Sequence, residues 1–395
     1  MFNVIPPTGV PFGWNFVFHS DQRDQNSFRD ELGRLLGGDA FLTCSGKAAL
    51  YLVLKTARRI YPNRNEVIIP DYTCWSVPSA VVRAGLKVRP VDIEIETLGL
   101  SPQKLETSIN GKTLAVVVTH LFAMPSRIDE IEKICKRANV LLIDDAAQGF
   151  GASVDQKPLG SFGDAGILSF GRGKNITTIS GGAALIRHRE LSEIAAASYS
   201  NEFPFAEANS ISDMIQLSAY KILSNRYAFW LPEILPFLRI GQTTYEPEFD
   251  VNPMPECRAS RGVMMLNNLN EISKDRIRKA ALYESQFLGA DGIIIPSPPM
   301  HSIIPYLRYP ILLKDANIRR YILKKGHKLG ISGMYPDTVS SIRELRPHLA
   351  ENSSSRGVSS RVAQTLLTLP THYGIDNDDL RRIADFVKFA LRRKA

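Results

Sequence analysis

The residues able to do chemistry cluster where short apolar runs stop. Residues 165–169 form one such run, and Ser169-Phe170-Gly171-Arg172-Gly173-Lys174-Asn175 follows directly. A lysine in a glycine-flanked loop at a strand's carboxyl end, with its pKa lowered, is a Schiff-base nucleophile. Ser169 and the loop N–H groups could hold a phosphate. Taken alone, a lysine in a loop reads as a solvated surface group. A second run, Val140-Leu141-Leu142-Ile143, ends in Asp144-Asp145 and continues Ala146-Ala147-Gln148-Gly149. A carboxylate just past a buried strand is costly without a cationic partner. One such partner is a protonated ring nitrogen of a cofactor; the plainer reading is a turn or helix-cap aspartate. Thr43-Cys44-Ser45-Gly46-Lys47-Ala48-Ala49-Leu50 opens an Ala/Leu-rich helix with a small turn, either a phosphate-binding helix N-terminus or a simple cap. Pro70-Asp71-Tyr72-Thr73-Cys74-Trp75-Ser76 places aromatics after a strand, where a planar ring could stack or a loop could pack.

These segments need a frame that brings strand ends together. From about residue 40 to 190, short apolar runs alternate with helical patterns. Strands are expected at 67–70, 87–93, 115–119, 140–143, 165–170 and 183–186, with helices at 77–84 and 127–138. Residues 115–119 are nearly all apolar, as in a strand buried on both faces. Such alternation predicts an α/β fold with a mainly parallel sheet flanked by helices, whose ligands lie at the carboxyl ends of the strands. Beyond residue 190 the pattern changes. Residues 200–255 are rich in aromatics and proline, 262–287 read as a long helix, and 293–298 and 307–313 as strands of a smaller α+β unit. Residues 352–360 read as a polar, mobile loop and 376–394 as a closing helix.

Composition narrows the class. The chain has 395 residues, 44% apolar and 22% charged, which is ordinary for a globular protein. Lys plus Arg is 48 against 40 for Asp plus Glu, a net charge of +8. The only local cluster is Arg392-Arg393-Lys394, so no nucleic-acid groove is expected. Four cysteines, 30, 61 and 122 residues apart, form no metal or redox pair. No apolar stretch is long enough to span a membrane, and the N-terminus does not read as a signal peptide. A cytoplasmic enzyme or binding protein, without a metal, is the expectation.

Jointly, and in this order, the motifs resemble the DegT/DnrJ/EryC1/StrS family of sugar aminotransferases, enzymes of fold type I that use pyridoxal 5′-phosphate (PLP). The resemblance runs over about residues 28–190. It is most specific at DDAAQGFGA followed by GSFGDAGILSFGRGKN, and looser in the C-terminal third. It implies a large PLP-binding domain at 1–250, with an N-terminal arm at 1–27 and an atypical apolar insert at about 197–250, and a small α+β domain at 251–395. It implies that Lys174 forms the Schiff base and moves the proton, that Asp145 pairs with the pyridine nitrogen, and that Gln148 contacts the ring's 3-hydroxyl side. Ser169 and the turn Ser45-Gly46-Lys47 match the phosphate cradle. Asn175 matches a structural position and His120 one near the cofactor face.

Several positions depart from the family pattern. Lys47 stands where the family usually has Thr, so it either contacts the phosphate or projects outward. Cys74 stands where the ring-stacking aromatic usually lies. Either Trp75 stacks after a small shift, or Tyr72 does, or the ring has a thinner cover. The family's Asn-x-Arg segment, which reaches the partner subunit's phosphate, aligns with Glu256-Cys257-Arg258; Arg258 keeps the positive charge, whereas Glu256 would repel a phosphate. The apolar stretch 220–240 is either a buried contact or a patch for a membrane or an apolar partner.

The resemblance implies transfer of an amino group from glutamate or glutamine to a keto-sugar, in nucleotide-linked form, by a homodimer with shared active sites. The small domain, with Tyr335 near its middle, would close over the donor. A cyclitol or non-sugar ketone as acceptor, and a non-catalytic relative serving as a regulator or complex subunit, are the alternatives. Relatives that dehydrate sugars replace the lysine by His, which Lys174 argues against.

Overall fold

The computed structural model describes residues 3–19, 25–204, 210–231, 243–351 and 357–393. Its centre is a seven-stranded sheet. The strands are β1 (Asp39–Thr43), β2 (Glu66–Pro70), β3 (Lys87–Val91), β4 (Thr113–Thr119), β5 (Leu141–Asp145), then, after the two-residue strands β6 (Ser153–Val154) and β7 (Lys157–Pro158), β8 (Ala165–Ser169) and β9 (Gly182–Ile186). The spatial order is β1-β9-β8-β5-β4-β2-β3. The pairs from β3 through β2, β4 and β5 to β8 are parallel, and β9 runs antiparallel to both β8 and β1.

Strand periodicity explains why these runs are apolar throughout. Val116 and Val118 enter the core on one side of the sheet with Ile68, Leu142 and Leu168, while Ala115 and Val117 enter the other with Val67, Ile143 and Ile167. Successive side chains point to opposite faces, so a strand with helices on both sides has no polar face. The helix Gly46–Ile60 covers one face, its start capped by Ser45, whose hydroxyl accepts the Ala48 N–H. The helices Gln25–Leu36 and Glu256–Phe287 cross on the other. They meet where a Cβ on Gly262 would lie 2.5 Å from the Phe28 ring, so only glycine permits the crossing.

Toward the C-terminus, β10 (Ile293–Ile294), β12 (Arg308–Leu313) and β13 (Leu366–Pro370) form an antiparallel sheet over the closing helix Asn377–Arg392. This sheet has its own core of Tyr309, Ile311, Leu367, Leu369, Ile383 and Val387. The short strand β11 (Ser302–Ile303) pairs with β6.

Three elements differ from the sequence reading. The run 293–298 is strand only at Ile293–Ile294, since prolines at 296, 298 and 299 remove donors from a ladder. The polar run 352–360 is not all loop: a helix starts at Val358 and takes in Ser359 and Ser360. Its cap comes from far away in sequence. Asp92 accepts the N–H groups of Val358 and Ser359 and the Ser359 hydroxyl; residues 352–356 lie outside the described residues. Within 200–255 the chain forms the helix Ser210–Leu223, and part of the apolar stretch 220–240, residues 232–240, lies outside the described residues. Its described part packs on the N-terminal segment, where Tyr220 stacks on Phe12 at 6.0 Å between centroids. Among the described residues, no helix is long and apolar enough to cross a membrane, and no group of His, Cys, Asp or Glu is arranged to hold a metal ion.

Candidate active site

A cavity of about 260 Å³ opens at the carboxyl ends of β4, β5 and β8. Ser45, Gly46, Lys47, Cys74, His120, Asp145, Gln148, Ser169 and Lys174 all line it, although they come from segments spread over 130 positions of sequence.

Asp144 and Asp145 are the last residues of β5, rather than residues just beyond it, and the pleat sends them different ways. Asp144 is fully used by the protein. It accepts the N–H groups of Gly160 at 2.6 Å and Phe162 at 3.0 Å, and it faces His120 Nε2 at 2.9 Å. Ser126 N–H donates to His120 Nδ1, so the ring proton sits on Nε2 and is given to Asp144. Asp145 accepts one N–H, from Ala147 at 2.9 Å. Burial pushes its carboxyl pKa up, against the smaller opposing pull of the Ala147 N–H and of Lys174. A carboxyl left in this state favours a cationic partner.

Lys174 is partly buried as a residue, but its amine is enclosed. Burial pushes the amine's pKa down, while Cys74 and Asp145 work weakly the other way. A neutral amine is the form that attacks a carbonyl carbon.

At the other end of the cavity lies the N-terminus of the helix Gly46–Ile60. Its turn is pressed against two strands. A Cβ on Gly46 would sit 3.0 Å from Ser169 Cβ, and one on Gly182 would sit 2.5 Å from Gly46 N. Free helix N–H groups with the hydroxyls of Ser45 and Ser169 make an anion cradle. Lys47 borders the cavity, with its amine 3.6 Å from Glu246 and over the Phe249 ring at 4.9 Å. An amine, a buried carboxyl and an anion cradle around one space fit a phosphorylated pyridine aldehyde: PLP.

Other residues singled out from sequence fall elsewhere. Trp75 does not line the cavity; it packs with the apolar cluster that includes Val77 and Ala80. Tyr72 is buried against Tyr335, rings edge to face at 5.5 Å. Cys74 alone of the three borders the cavity, with Ser76 Oγ at 3.0 Å from its sulfur. Arg258, which the family pattern aims at a partner subunit, does not line the cavity of its own subunit. It pairs with Asp213, at 2.9 and 2.5 Å, and bonds Ser180, so its charge is already engaged. Glu256 is exposed at the start of its helix. Asn175 is buried and donates to Phe150 O at 2.7 Å.

The sequence did not reveal what holds Gln148. Its Oε1 accepts Phe122 N–H at 3.0 Å, and its Nε2 donates to the Tyr335 hydroxyl at 2.6 Å. Phe122 is in the left-handed region, at φ 62°. No local pattern signals a contact across 187 residues.

The sequence profile of the DegT/DnrJ/EryC1/StrS aminotransferase family matches residues 18–388. The chain belongs to that family. It is 27% identical to GDP-perosamine synthase of Caulobacter vibrioides over 343 residues, covering 86% of this chain and 82% of that one. It is 34% identical to the L-glutamine:2-deoxy-scyllo-inosose aminotransferase of Micromonospora echinospora over 158 residues, 40% of this chain and 37% of that one. The chain spans less than two thirds of the length of six of the eight curated relatives compared. Its fold superposes on DesI, solved in the presence of its TDP-sugar product, with a TM-score of 0.78 at 21% identity, over 100% of this chain and 94% of that one. The fold is thus the α/β fold type I of PLP-dependent aminotransferases, with its mainly parallel sheet flanked by helices.

Proposed function

We propose that this chain moves an amino group from glutamate or glutamine to a keto-sugar, nucleotide-linked, using PLP held in the cavity at the ends of β5 and β8. The observation that carries the reading is the meeting of Lys174, Asp145 and the Ser45–Gly46 turn around one enclosed space. PLP, when bound, supplies an electron sink for the donor's α-carbon. With PLP in place, Lys174 would hold it through its amine and then act as acid and base at the donor carbon. Asp145 would pair with the ring nitrogen. Ser45, Gly46 and Ser169 would hold the phosphate, with Lys47 at its margin beside Glu246, and Gln148 would orient the ring edge. Cys74 would cover the ring in place of an aromatic, a thinner cover. A homodimer is part of this reading and rests on the family.

A second reading of the acceptor has its own support. The neighbouring cavity shares Ser45 and Lys47 and, among the described residues, carries Asp213, Glu246, Glu248 and Asp250 against Lys47 and Arg258. Asp213 and Glu246 pair with those two cations, which leaves little positive charge for a diphosphate and favours an uncharged ketone such as a cyclitol. Incubation of the PLP-loaded protein with glutamate or glutamine, and separately with keto-sugar nucleotides and inososes, decides between them by mass spectrometry. An aminated sugar nucleotide supports the first acceptor and an aminated cyclitol the second. No amination of any ketone, with both donors, overturns the function.

A further inference from the structure

Within the first described stretch, residues 3–17 are gripped through their backbone carbonyls by basic side chains from four distant segments. Arg308 donates to Pro7 O, and Arg276 to Gly9 O at 3.1 Å. Arg261 reaches Phe16 O and Val17 O at 3.2 and 3.3 Å, and Lys221 reaches Phe12 O at 2.5 Å. His372 joins them. Gly374 N–H donates to its Nδ1, so Nε2 carries the proton it gives to Pro6 O at 2.9 Å. Burial pushes the His372 pKa down to about 3, so this donor keeps one form across the working pH range. Arg261, Arg276 and Arg308 are buried, so each carbonyl of the stretch that is released takes an acceptor from a buried cation, which is unfavourable. Ile5 is buried in the C-terminal core, and Val10, Phe16 and Val17 in the core beneath the main sheet. The stretch therefore ties the two cores together.

Between these anchors the stretch touches the lysine loop. Thr8 Oγ1 donates to Gly173 O at 3.1 Å. Gly173 has φ +75°, and a Cβ there would lie 2.5 Å from the Thr8 methyl, so glycine is required both for the turn and for the contact. The Gly173 carbonyl and the Lys174 N–H belong to one planar peptide unit. Thr8 fixes its oxygen, and Gly171 O accepts its N–H at 3.3 Å. With both ends of that plane fixed, the point from which the Lys174 side chain leaves the backbone is held in place.

We infer that residues 3–17 form a strap whose Thr8 is a positioning residue for Lys174. The inference rests on the reading of Lys174 as the Schiff-base lysine. Its test is the rate at which the full-length apo protein, mixed with PLP, forms a borohydride-reducible adduct on Lys174, measured by peptide mass spectrometry across pH. Thr8→Val keeps the shape and the methyl and removes the donor. It should slow trapping about 10-fold and change its pH profile, with a melting temperature near that of wild type. Thr8→Ser, which keeps the hydroxyl, should restore the rate to within about twofold, and Thr8→Ala should be at least as slow as Thr8→Val. Trapping by Thr8→Val at the wild-type rate and pH profile overturns the strap while leaving the functional reading intact. Failure of the wild type itself to trap PLP on Lys174 overturns both.

Discussion

Asp144 and Asp145 are consecutive and do separate work: the first is spent inside the protein on His120 and the N–H groups of Gly160 and Phe162, and the second faces the cavity with one backbone donor. Their substitutions should separate accordingly. Asp144→Ala leaves three buried donors without an acceptor and should cost about 3–5 kcal/mol, read as a fall in melting temperature. An Asp144→Ala variant as stable as wild type would contradict this assignment.

Asp145→Asn should behave in the opposite way. The folded carboxyl has its pKa raised above the unfolded value, so the folded apo protein binds the extra proton as pH rises above that unfolded value. Stability is present in full at low pH and is lost as pH rises through the raised pKa. Asparagine removes this loss. The apo variant should melt a few degrees higher than wild type at pH 7 and no higher at pH 4, while amino transfer falls by at least about 10³-fold. Equal melting temperatures at pH 7 would show that the acid is not held in an unfavourable site.

The pH dependence of Lys174 follows from the same geometry. Burial lowers its pKa, and Asp145 raises it. Trapping of PLP on Lys174 should therefore reach half its maximal rate at a pH below the free-lysine range. In Asp145→Asn the midpoint should move lower still, since an interaction favouring the charged amine is gone. A midpoint that moves up would reverse the assigned coupling.

Gln148 owes its orientation to Tyr335 and to the Phe122 N–H. Tyr335→Phe should keep the fold and lower kcat by about 10-fold with little change in KM, because it removes an aligning contact rather than a substrate contact. Unchanged kcat would make the Tyr335 bond a packing detail.

Cys74 borders the cavity, whereas burial pushes the Cys135 thiol up to about 12 and that of Cys257 also upward. Iodoacetamide should label Cys74 in the apo protein and do so about fivefold more slowly after PLP is added, with Cys135 and Cys257 unlabelled in both. Equal labelling of Cys74 with and without PLP would place the cofactor elsewhere.

The core of the fold was legible because parallel strands with helices on both faces leave unbroken apolar runs, such as 115–119. The edge strand β1, DAFLT, starts on an exposed aspartate and has no branched apolar residue except Leu42, and gave no such signal. Of the residues that line the cavity, those in local runs were legible: Lys174, Asp145, Ser169 and the Ser45 turn. What depends on tertiary contacts was not. Asp92 caps a helix 266 residues away, Asp213 claims Arg258, and Thr8 meets Gly173 across 165 residues. Trp75 is a stacking candidate by type, but its side chain packs with the apolar cluster of Val77 and Ala80 and does not line the cavity.

The central claim is that the Lys174 amine meets the aldehyde of PLP in a space it shares with Asp145. Borohydride reduction of the protein mixed with PLP, followed by proteolysis and mass spectrometry of every lysine-containing peptide, tests it most directly. The account predicts one phosphopyridoxyl group per chain, on the peptide holding Gly173-Lys174-Asn175, and none in Lys174→Ala. A stoichiometric adduct on another lysine, or none at all, would contradict it.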